Sequence, residues 1–325
     1  MGRIHALIVK ATALLAVTGL ISAMLLTGCE TQGSRGNDVA ENPPPAQESN
    51  APPDYEMPYF PIPSAPGIKV EQNDKALIDF SNMRDGYVMA KSVEEADRQV
   101  RLILTIPDGT EYTYRLTPGG GFDIFPLSGG NGEYLVRIFE QVEGTKYGLV
   151  LSVTIEVVMD DEFAPFLRPN QFVNFNRDSE VVRRAAKLTS DVDGLMERIA
   201  VIYNFVISNI EYDTVLAETV QSGYLPDLDL VLERGLGICF DYAAVMTAML
   251  RSQGIPTKLV IGFTGEAYHA WISVFSEETG WIDDLIFFDG AEWKRMDPTF
   301  ASSGQTAELV DFIGDGTNYH AKFFH

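Results

Sequence analysis

Residues that commonly carry reactive or basic side chains are scarce in this chain. Its 325 residues include 2 cysteines and 4 histidines. Residues 68–160 contain neither type, so no thiol or imidazole chemistry is expected there. Lys and Arg number 24 against 46 Asp and Glu, which gives a formal net charge of −22. Phosphate binding needs clustered Lys and Arg, so this balance excludes nucleic acid as a partner.

Composition otherwise favours a globular protein. Hydrophobic residues make up 46% of the chain and charged residues 22%, which suits a protein with a sizeable core. The length allows two domains.

The N-terminal segment has the layout of a secretory signal. Arg3 and Lys10 accompany an apolar run from Ala11 to Gly28, with small residues just before Cys29. A basic start, an apolar stretch and a small-residue end are typical of a signal peptide that is removed on export. The run is also long enough to span a bilayer, so an uncleaved membrane anchor is the alternative.

The end of that segment favours cleavage. The stretch "LLTGC", with Leu26, Thr27, Gly28 and Cys29, resembles the lipobox of bacterial lipoproteins. This resemblance implies that residues 1–28 are removed, that Cys29 is lipidated, and that the chain is an extracytoplasmic, membrane-anchored protein. Cys239 would then lack a disulfide partner and a second thiol for a metal site. No metal or cofactor is predicted.

Two segments lie between Cys29 and the region that contains Cys239. Residues 29–67 are rich in Pro and polar residues, so we expect a tether that buries little surface.

Residues 68–162 alternate apolar and polar residues between Gly-rich turns, as in "RQVRLILTIPDGTEYTYRL". This alternation is typical of paired strands. We therefore predict a small β-sandwich of Ig-like type, acting as a spacer or docking domain.

In residues 163–325 the spacing of the apolar residues changes. From about Asp178 the apolar residues lie three and four apart, which predicts amphipathic helices. One helical face would be formed by Ile199, Ile202, Tyr203, Val206 and Ile210. Strands are predicted in "PTKLVIGF", "YHAWISVF" and "WKRMDPTF". The predicted fold class is α+β, with helices first and then an antiparallel sheet packed against the helix that begins near Cys239.

Cys239 occupies a position that favours reactivity. In "ERGLGICFDYAAVMTAML" it follows Gly235 and Gly237 and begins a run of apolar residues at helical spacing. Unsatisfied N–H groups and the helix dipole at such a position stabilise a thiolate. The backbone N–H of Cys239 would also be placed to bind an oxyanion. The alternative is a buried structural cysteine.

A nucleophilic thiol needs a base, and His269 is the best-placed histidine. His5 lies in the predicted signal, and His320 and His325 lie in the last six residues, where order is least assured. His269 lies within a predicted strand. Asp297 ends a strand that can pair with it, and would orient the imidazole ring. The alternatives are a structural hydrogen bond for His269 and a turn for Asp297.

Three motifs together resemble the transglutaminase-like superfamily. They are "GICFDYAAVMTAMLRSQGIPTKLVIGF", "YHAWISVF" and "WKRMDPTF", in this order. The resemblance implies a papain-like core preceded here by the β-sandwich. It also implies that Cys239 is the nucleophile, that His269 is the general base and acid, and that Asp297 is the orienting acid.

The resemblance further implies an oxyanion pocket. The candidate second donor is Tyr212 in "NIEYD", a stretch that resembles the tyrosine segment preceding the cysteine in this superfamily. Phe240 departs from the family pattern, because a polar or basic residue often follows the cysteine. No calcium-site signature stands out.

The predicted function is acyl transfer on amide bonds through a thioester. Water as the acceptor makes the protein a protease or amidase, and a lysine amine makes it a transglutaminase. Both share the first half-reaction, so both remain open. Given the lipid anchor, the expected substrates are surface proteins or cell-wall peptides. The alternative is a catalytically inactive transglutaminase-like binding or scaffold lipoprotein at the cell surface.

Overall fold

The computed structural model describes residues 55–95, 97–282, 286–288, 293–295 and 319–325. The predicted signal peptide, Cys29 and Asp297 lie outside these residues. Residues 55–325 form one compact unit. In the described part of the chain, no helix has both the length and the apolar character needed to cross a bilayer.

The first part of this unit is built from strands. They are β1 (Val70–Gln72), β2 (Ala76–Asp79), β3 (Tyr87–Ser92), β4 (Val100–Thr105), β5 (Glu111–Leu116), β6 (Asp123–Pro126), β7 (Gly132–Glu143) and β8 (Lys146–Val157). A short 3-10 helix, Met83–Asp85, precedes β3.

Helices and a further sheet make up the second part. After the 3-10 helix Ala164–Phe166, the helices are α1 (Glu180–Thr189), α2 (Leu195–Asn209), α3 (Thr214–Thr219), α4 (Leu228–Arg234) and α5 (Cys239–Ser252). The strands are β9 (Glu211–Tyr212), β10 (Leu236–Gly237), β11 (Thr257–Thr264), β12 (Ala267–Ser276), β13 (Gly280–Ile282), β14 (Ile286–Phe288), β15 (Trp293–Arg295) and β16 (Tyr319–Phe324).

Strands β1 to β8 form a β-sandwich. One sheet has the order β1-β2-β3-β6 and the other β5-β4-β7-β8, and all pairings are antiparallel. Alternate residues are buried along β4 and β5, as expected for strands with one face on a core. Apolar residues from both sheets share one core. The predicted Ig-like type and the limits 68–162 stay predictions.

The second core surrounds α5. Helices α1, α2 and α4 and strands β11 and β12 all pack against this helix. The sheet order is β13-β12-β11-β16, with antiparallel pairings throughout. The predicted α+β class, with helices on an antiparallel sheet, is therefore confirmed. The predicted helical face is also confirmed, because Ile199, Ile202, Tyr203 and Val206 of α2 are buried, as is Ile210 directly after the helix.

Helix α5 is more deeply buried than its apolar spacing predicts. Every residue from Asp241 to Ser252 is buried, not only one face. The buried charged residues of the helix, Asp241 and Arg251, are hydrogen-bonded. Elements pack on several sides of the helix, and a helix buried all round needs apolar or small side chains at most of its other positions. Ala243, Ala244 and Ala248 meet this requirement, since their small side chains let neighbouring elements approach closely.

Two segments bury more surface than the sequence predicts. Phe60, inside the predicted tether, is 2% exposed, and its ring centroid lies 5.2 Å from that of Phe175. The expectation of weak order near the C-terminal histidines is wrong for His325, which is 3% exposed. It follows β16, and its backbone exchanges two hydrogen bonds of 2.8 Å with Leu259 of β11. Both burials depend on contacts between residues far apart in the chain.

Candidate active site

Two glycines bring the chain into α5. Gly235 ends α4 in the left-handed conformation, with φ at 61°, which glycine adopts without strain. Gly237 is required by space, because a Cβ there would lie 2.7 Å from the Cβ of Asp241. The helix then begins at Cys239 itself. The prediction that the cysteine starts a helix is confirmed.

Asp241 stabilises the turn before the cysteine. Its Oδ2 accepts the backbone N–H of Ile238 at 2.8 Å, and its Oδ1 accepts the hydroxyl of Tyr224 at 2.7 Å. Burial raises the pKa of the Asp241 carboxyl, while these two hydrogen bonds act in the opposite direction. One buried carboxyl therefore connects the residue before Cys239 to the loop that carries Tyr224.

Tyr212 lies beside the same turn. Strand β9 pairs in parallel with β10, which places Tyr212 opposite Gly237. The backbone N–H of Asp213 donates to Gly237 O at 2.9 Å. The hydroxyl of Tyr242 donates to Ile210 O at 2.6 Å and ties α5 to the residue before β9. Tyr212 is thus close to the start of α5, and its role as an oxyanion donor stays a prediction.

His269 is held on β12, one of the strands that pack against α5. It is 7% exposed. Its ring lies nearly parallel to that of Trp271, at 6.1 Å and 21°, and edge-on to Tyr319 at 6.3 Å. Gly262 is its partner on β11, and a Cβ there would lie 2.8 Å from the Trp271 ring. The imidazole ring of His269 thus has the rings of Trp271 and Tyr319 as aromatic neighbours.

The predicted site residues meet at a cleft of about 780 Å³. Cys239, His269 and Tyr212 all line it. Cys239 is partly exposed and is a free cysteine. The structure thus brings the predicted nucleophile, base and oxyanion donor to one cavity. Among the described residues, the strand before Asp297, β15, pairs with β14 and not with β12, so the predicted pairing with the His269 strand is not found there. Asp297 itself lies outside the described residues, so its role stays a prediction.

The pKa of Tyr268 is affected by the Cys239 sulfur. Partial burial of the hydroxyl in the cleft wall raises the pKa of Tyr268, and a charge on the Cys239 sulfur raises it further. Two anions repel, so this coupling means that the phenol and the sulfur lie within electrostatic range of each other. Tyr268 is 62% exposed and lines the cleft beside His269.

Phe240 forms part of an aromatic wall. Its ring packs edge-on against Phe172 at 5.5 Å and against Tyr224 at 6.4 Å. All three residues line the cleft. Phe240 therefore makes the cleft next to Cys239 apolar.

Asp241, Tyr224 and Tyr268 were missed by the sequence reasoning. Asp241 and Tyr268 are close in sequence to Cys239 and His269, and this proximity is a signal that points to them. Tyr224 lies in a loop, 17 residues from its hydrogen-bond partner Asp241, and has no such signal. Across the described ranges, no group of three or more His, Cys, Asp or Glu is arranged to hold a metal ion.

The family comparison covers the region of the cleft that carries the cysteine. The model of the transglutaminase-like superfamily matches residues 182–284. A Bacillus subtilis (strain 168) protein, named only as the uncharacterized protein YebA, is 26% identical over 119 residues. That match covers 30% of this chain and 16% of YebA. The chain therefore spans a small part of the length of this relative.

Solved structures give weaker likenesses. A provisionally named cysteine protease from Cytophaga hutchinsonii is 15% identical, with a TM-score of 0.34, over 71% of this chain and 69% of that chain. Red sea bream transglutaminase is 12% identical, with a TM-score of 0.29, over 66% of this chain and 48% of that chain. Both TM-scores are low, so the family model carries the comparison.

Proposed function

We propose that this chain, whose residues 182–284 form a transglutaminase-like domain, is a cysteine-dependent enzyme that transfers acyl groups from amide bonds through a thioester. The observation that carries the proposal is the meeting of Cys239 and His269 at one cleft. Cys239 begins α5, and His269 lies on a strand against which α5 packs. Both residues fall inside the segment matched by the family model.

The first half-reaction forms the thioester. The Cys239 thiolate attacks the amide carbonyl carbon, and the electron pair of the C=O bond moves to oxygen. The backbone N–H of Cys239 and the Tyr212 hydroxyl are the proposed donors to this oxyanion. As the carbonyl re-forms, the C–N bond breaks and protonated His269 gives its proton to the leaving amine.

The second half-reaction releases the acyl group. Neutral His269 takes a proton from water or from an attacking amine, and the new nucleophile adds to the thioester carbon. The C–S bond then breaks and restores the thiolate. Asp297 is the proposed partner that orients His269 throughout. Water gives hydrolysis and a lysine amine gives crosslinking, and the proposal covers both.

We further propose that the enzyme works outside the cytoplasm, held to a membrane by a lipid on Cys29. The support is the sequence of residues 1–29, with its basic start, apolar run and "LLTGC" end. The substrates that fit this location are surface proteins and cell-wall peptides.

The test is a product analysis with peptide amides. The protein is incubated with a peptide library in the presence and absence of a primary amine, and products are identified by mass. Hydrolysed or aminated peptides are expected, with a loss of at least about a thousandfold for Cys239→Ala and His269→Ala. Ser190→Ala, an exposed change outside the cleft, serves as the control. Undiminished turnover by Cys239→Ala would contradict the proposal, as would binding of peptides without any product.

A further inference from the structure

One wall of the cleft is provided by the β-sandwich. Arg101 of β4 and Arg115 of β5 line the same cavity as Cys239 and His269. Both arginines are at the outward-facing positions of strands whose alternate residues are buried. They are therefore free of the sandwich core and are presented to the cavity.

The two arginines are direct neighbours across the sheet. The pairing of β4 with β5 places Arg101 opposite Arg115. Like charges directly opposite each other destabilise a strand pair. Within the described part of the chain, neither guanidinium has an ion pair. The register therefore places two like charges on neighbouring positions of the sheet, with no carboxylate partner for either among the described residues.

The remaining charged side chain of this wall does not neutralise the pair. Glu111 also lines the cleft, but its carboxylate forms an ion pair with Arg137. The chain as a whole has a formal net charge of −22. A cavity wall with two uncompensated cations is a local exception, and it attracts anions.

Both guanidinium groups are held in position. Arg101 lies over the ring of Tyr147, with its Cζ 4.1 Å from the ring centroid. Arg115 packs against Gly223 of the cleft loop, where φ is 89° and any side chain would collide with the guanidinium. The Nε2 of Gln171 donates to the backbone carbonyl of Arg115 at 2.6 Å, which ties the main chain of β5, and not the guanidinium, to the cleft. Side chains held in this way lose less freedom when they bind a ligand.

We propose that Arg101 and Arg115 form a subsite for a carboxylate of the peptide substrate. The proposal rests on the proposed function, because it concerns the substrate class of the same cleft. Planar guanidinium groups bind carboxylates through paired, charge-assisted hydrogen bonds. The carboxylate belongs either to an Asp or Glu side chain or to a free C-terminus of the peptide. Peptides that lack it occupy the cleft more weakly.

Binding to the Cys239→Ala protein tests the subsite without catalysis. Matched peptides carry Glu, Gln or Lys at each position in turn, with a free or an amidated C-terminus. We expect the best acidic peptide to bind about tenfold more tightly than its neutral match, with the difference shrinking as salt is added. A loss on Glu→Gln assigns the side chain, and a loss on amidation assigns the C-terminus. Equal binding of acidic and neutral peptides would overturn the proposal.

Arginine variants in the same Cys239→Ala background locate the effect. Arg101→Gln with Arg115→Gln should reduce the acidic preference to about one. The matched control is Arg98→Gln, which removes the same charge just before β4 from a side chain that is outside the cleft lining. It should keep the preference. The double Lys variant should retain part of it, because the charges remain. An acidic preference that survives in the double Gln variant would overturn the proposal.

Turnover separates this proposal from the proposed function. If no peptide is converted by the wild-type protein but the acidic preference in binding follows the arginines, the subsite stands and the enzyme proposal fails. If peptides are converted without regard to charge, the enzyme proposal stands and the subsite fails. Circular dichroism of each variant confirms that the fold is retained.

Discussion

The two walls of the cleft are built on different principles. On the sandwich side, β4 and β5 bury every second residue and leave the others outside the core. On the side formed by α5 and β12, every residue of α5 from Asp241 to Ser252 is buried, and β12 is buried on both faces over most of its length. The proposed chemistry thus lies on elements fixed from all sides. The proposed recognition residues lie on strands whose outer face is free to change.

The largest expected effects come from cavities in the two cores. Leu250 of α5 and Leu102 of β4 are both 0% exposed. Each change to Ala should cost about 2–5 kcal/mol in the free energy of unfolding, measured by chemical denaturation. At temperatures where the variant is still folded, Leu250→Ala should also reduce turnover, because α5 positions Cys239. Leu102→Ala should leave the rate of the chemical step closer to that of the wild type. Equal effects of the two variants on that rate would contradict the proposed difference between the two walls.

Acid should destabilise the interface where the two cores meet. Burial, and then the charge of Arg251, lower the pKa of His325 to about 3, and its Nδ1 shares a hydrogen bond with Tyr114 of β5 at 3.1 Å. The unfolded chain takes up this proton below pH ~6.5, whereas the folded chain resists until pH ~3. The stability from this group is therefore complete above pH ~6.5 and falls by about 1.4 kcal/mol per unit below it.

The variant His325→Gln isolates this contribution. By pH ~5 the wild type should have lost about 2 kcal/mol through His325, and the variant should show a correspondingly shallower decline. Denaturant unfolding at a series of pH values measures both. An identical slope in the two proteins would show that His325 is not held neutral between the cores.

Removal of the Asp241 carboxyl should disturb the wall formed by α5 and β12 locally. Asp241→Ala leaves the Ile238 N–H and the Tyr224 hydroxyl without their acceptor, which should cost about 1–2 kcal/mol in stability. Turnover should fall as well, because this N–H belongs to the residue before Cys239. Thermal denaturation and steady-state kinetics check the two parts.

A matched control is available on a neighbouring helix. Asp227 caps α4 by accepting the Leu230 N–H at 3.1 Å, so Asp227→Ala should cost about 1 kcal/mol without the same loss in turnover. Equal losses in turnover from Asp227→Ala and Asp241→Ala would show that the carboxyl near Cys239 has no special positioning role.

The smallest expected effect concerns Tyr268. Because the Cys239 sulfur contributes to its raised pKa, Cys239→Ala should move the Tyr268 pKa back toward its ordinary value. Difference titration of each protein against its Tyr268→Phe counterpart isolates this phenol. Since Tyr268 is 62% exposed, its change to Phe should alter stability by no more than about 0.5 kcal/mol. An unchanged Tyr268 titration would show that the charge of the Cys239 sulfur does not act on this phenol.

Local sequence patterns predicted most of the helices and strands that position the site residues. The two glycines before Cys239, the apolar spacing after it and the alternation around His269 predict α5 and β12, and both are present. These signals work because capping, turn chemistry and periodicity act within a few residues. The periodicity of α5 failed to show that the helix is buried all round, since burial depends on how many elements pack against it.

Contacts between residues far apart in the chain could not be predicted from the sequence. Tyr224 reaches Asp241 across 17 residues, and Tyr114 reaches His325 across 211. Arg101 and Arg115 become neighbours only through the register of β4 and β5, and alternation alone does not fix that register. The aromatic wall and the cationic wall of the cleft both arise in this way.

The most direct test of the central claim is to trap the acyl-enzyme. The protein is mixed with a peptide amide that it converts, quenched with acid during turnover, digested, and analysed by mass spectrometry. The account predicts an acyl group of the mass of the peptide's donor portion on Cys239, removed by an added amine and absent from Cys239→Ala. An acyl group on a different residue, or turnover by Cys239→Ala, would contradict it.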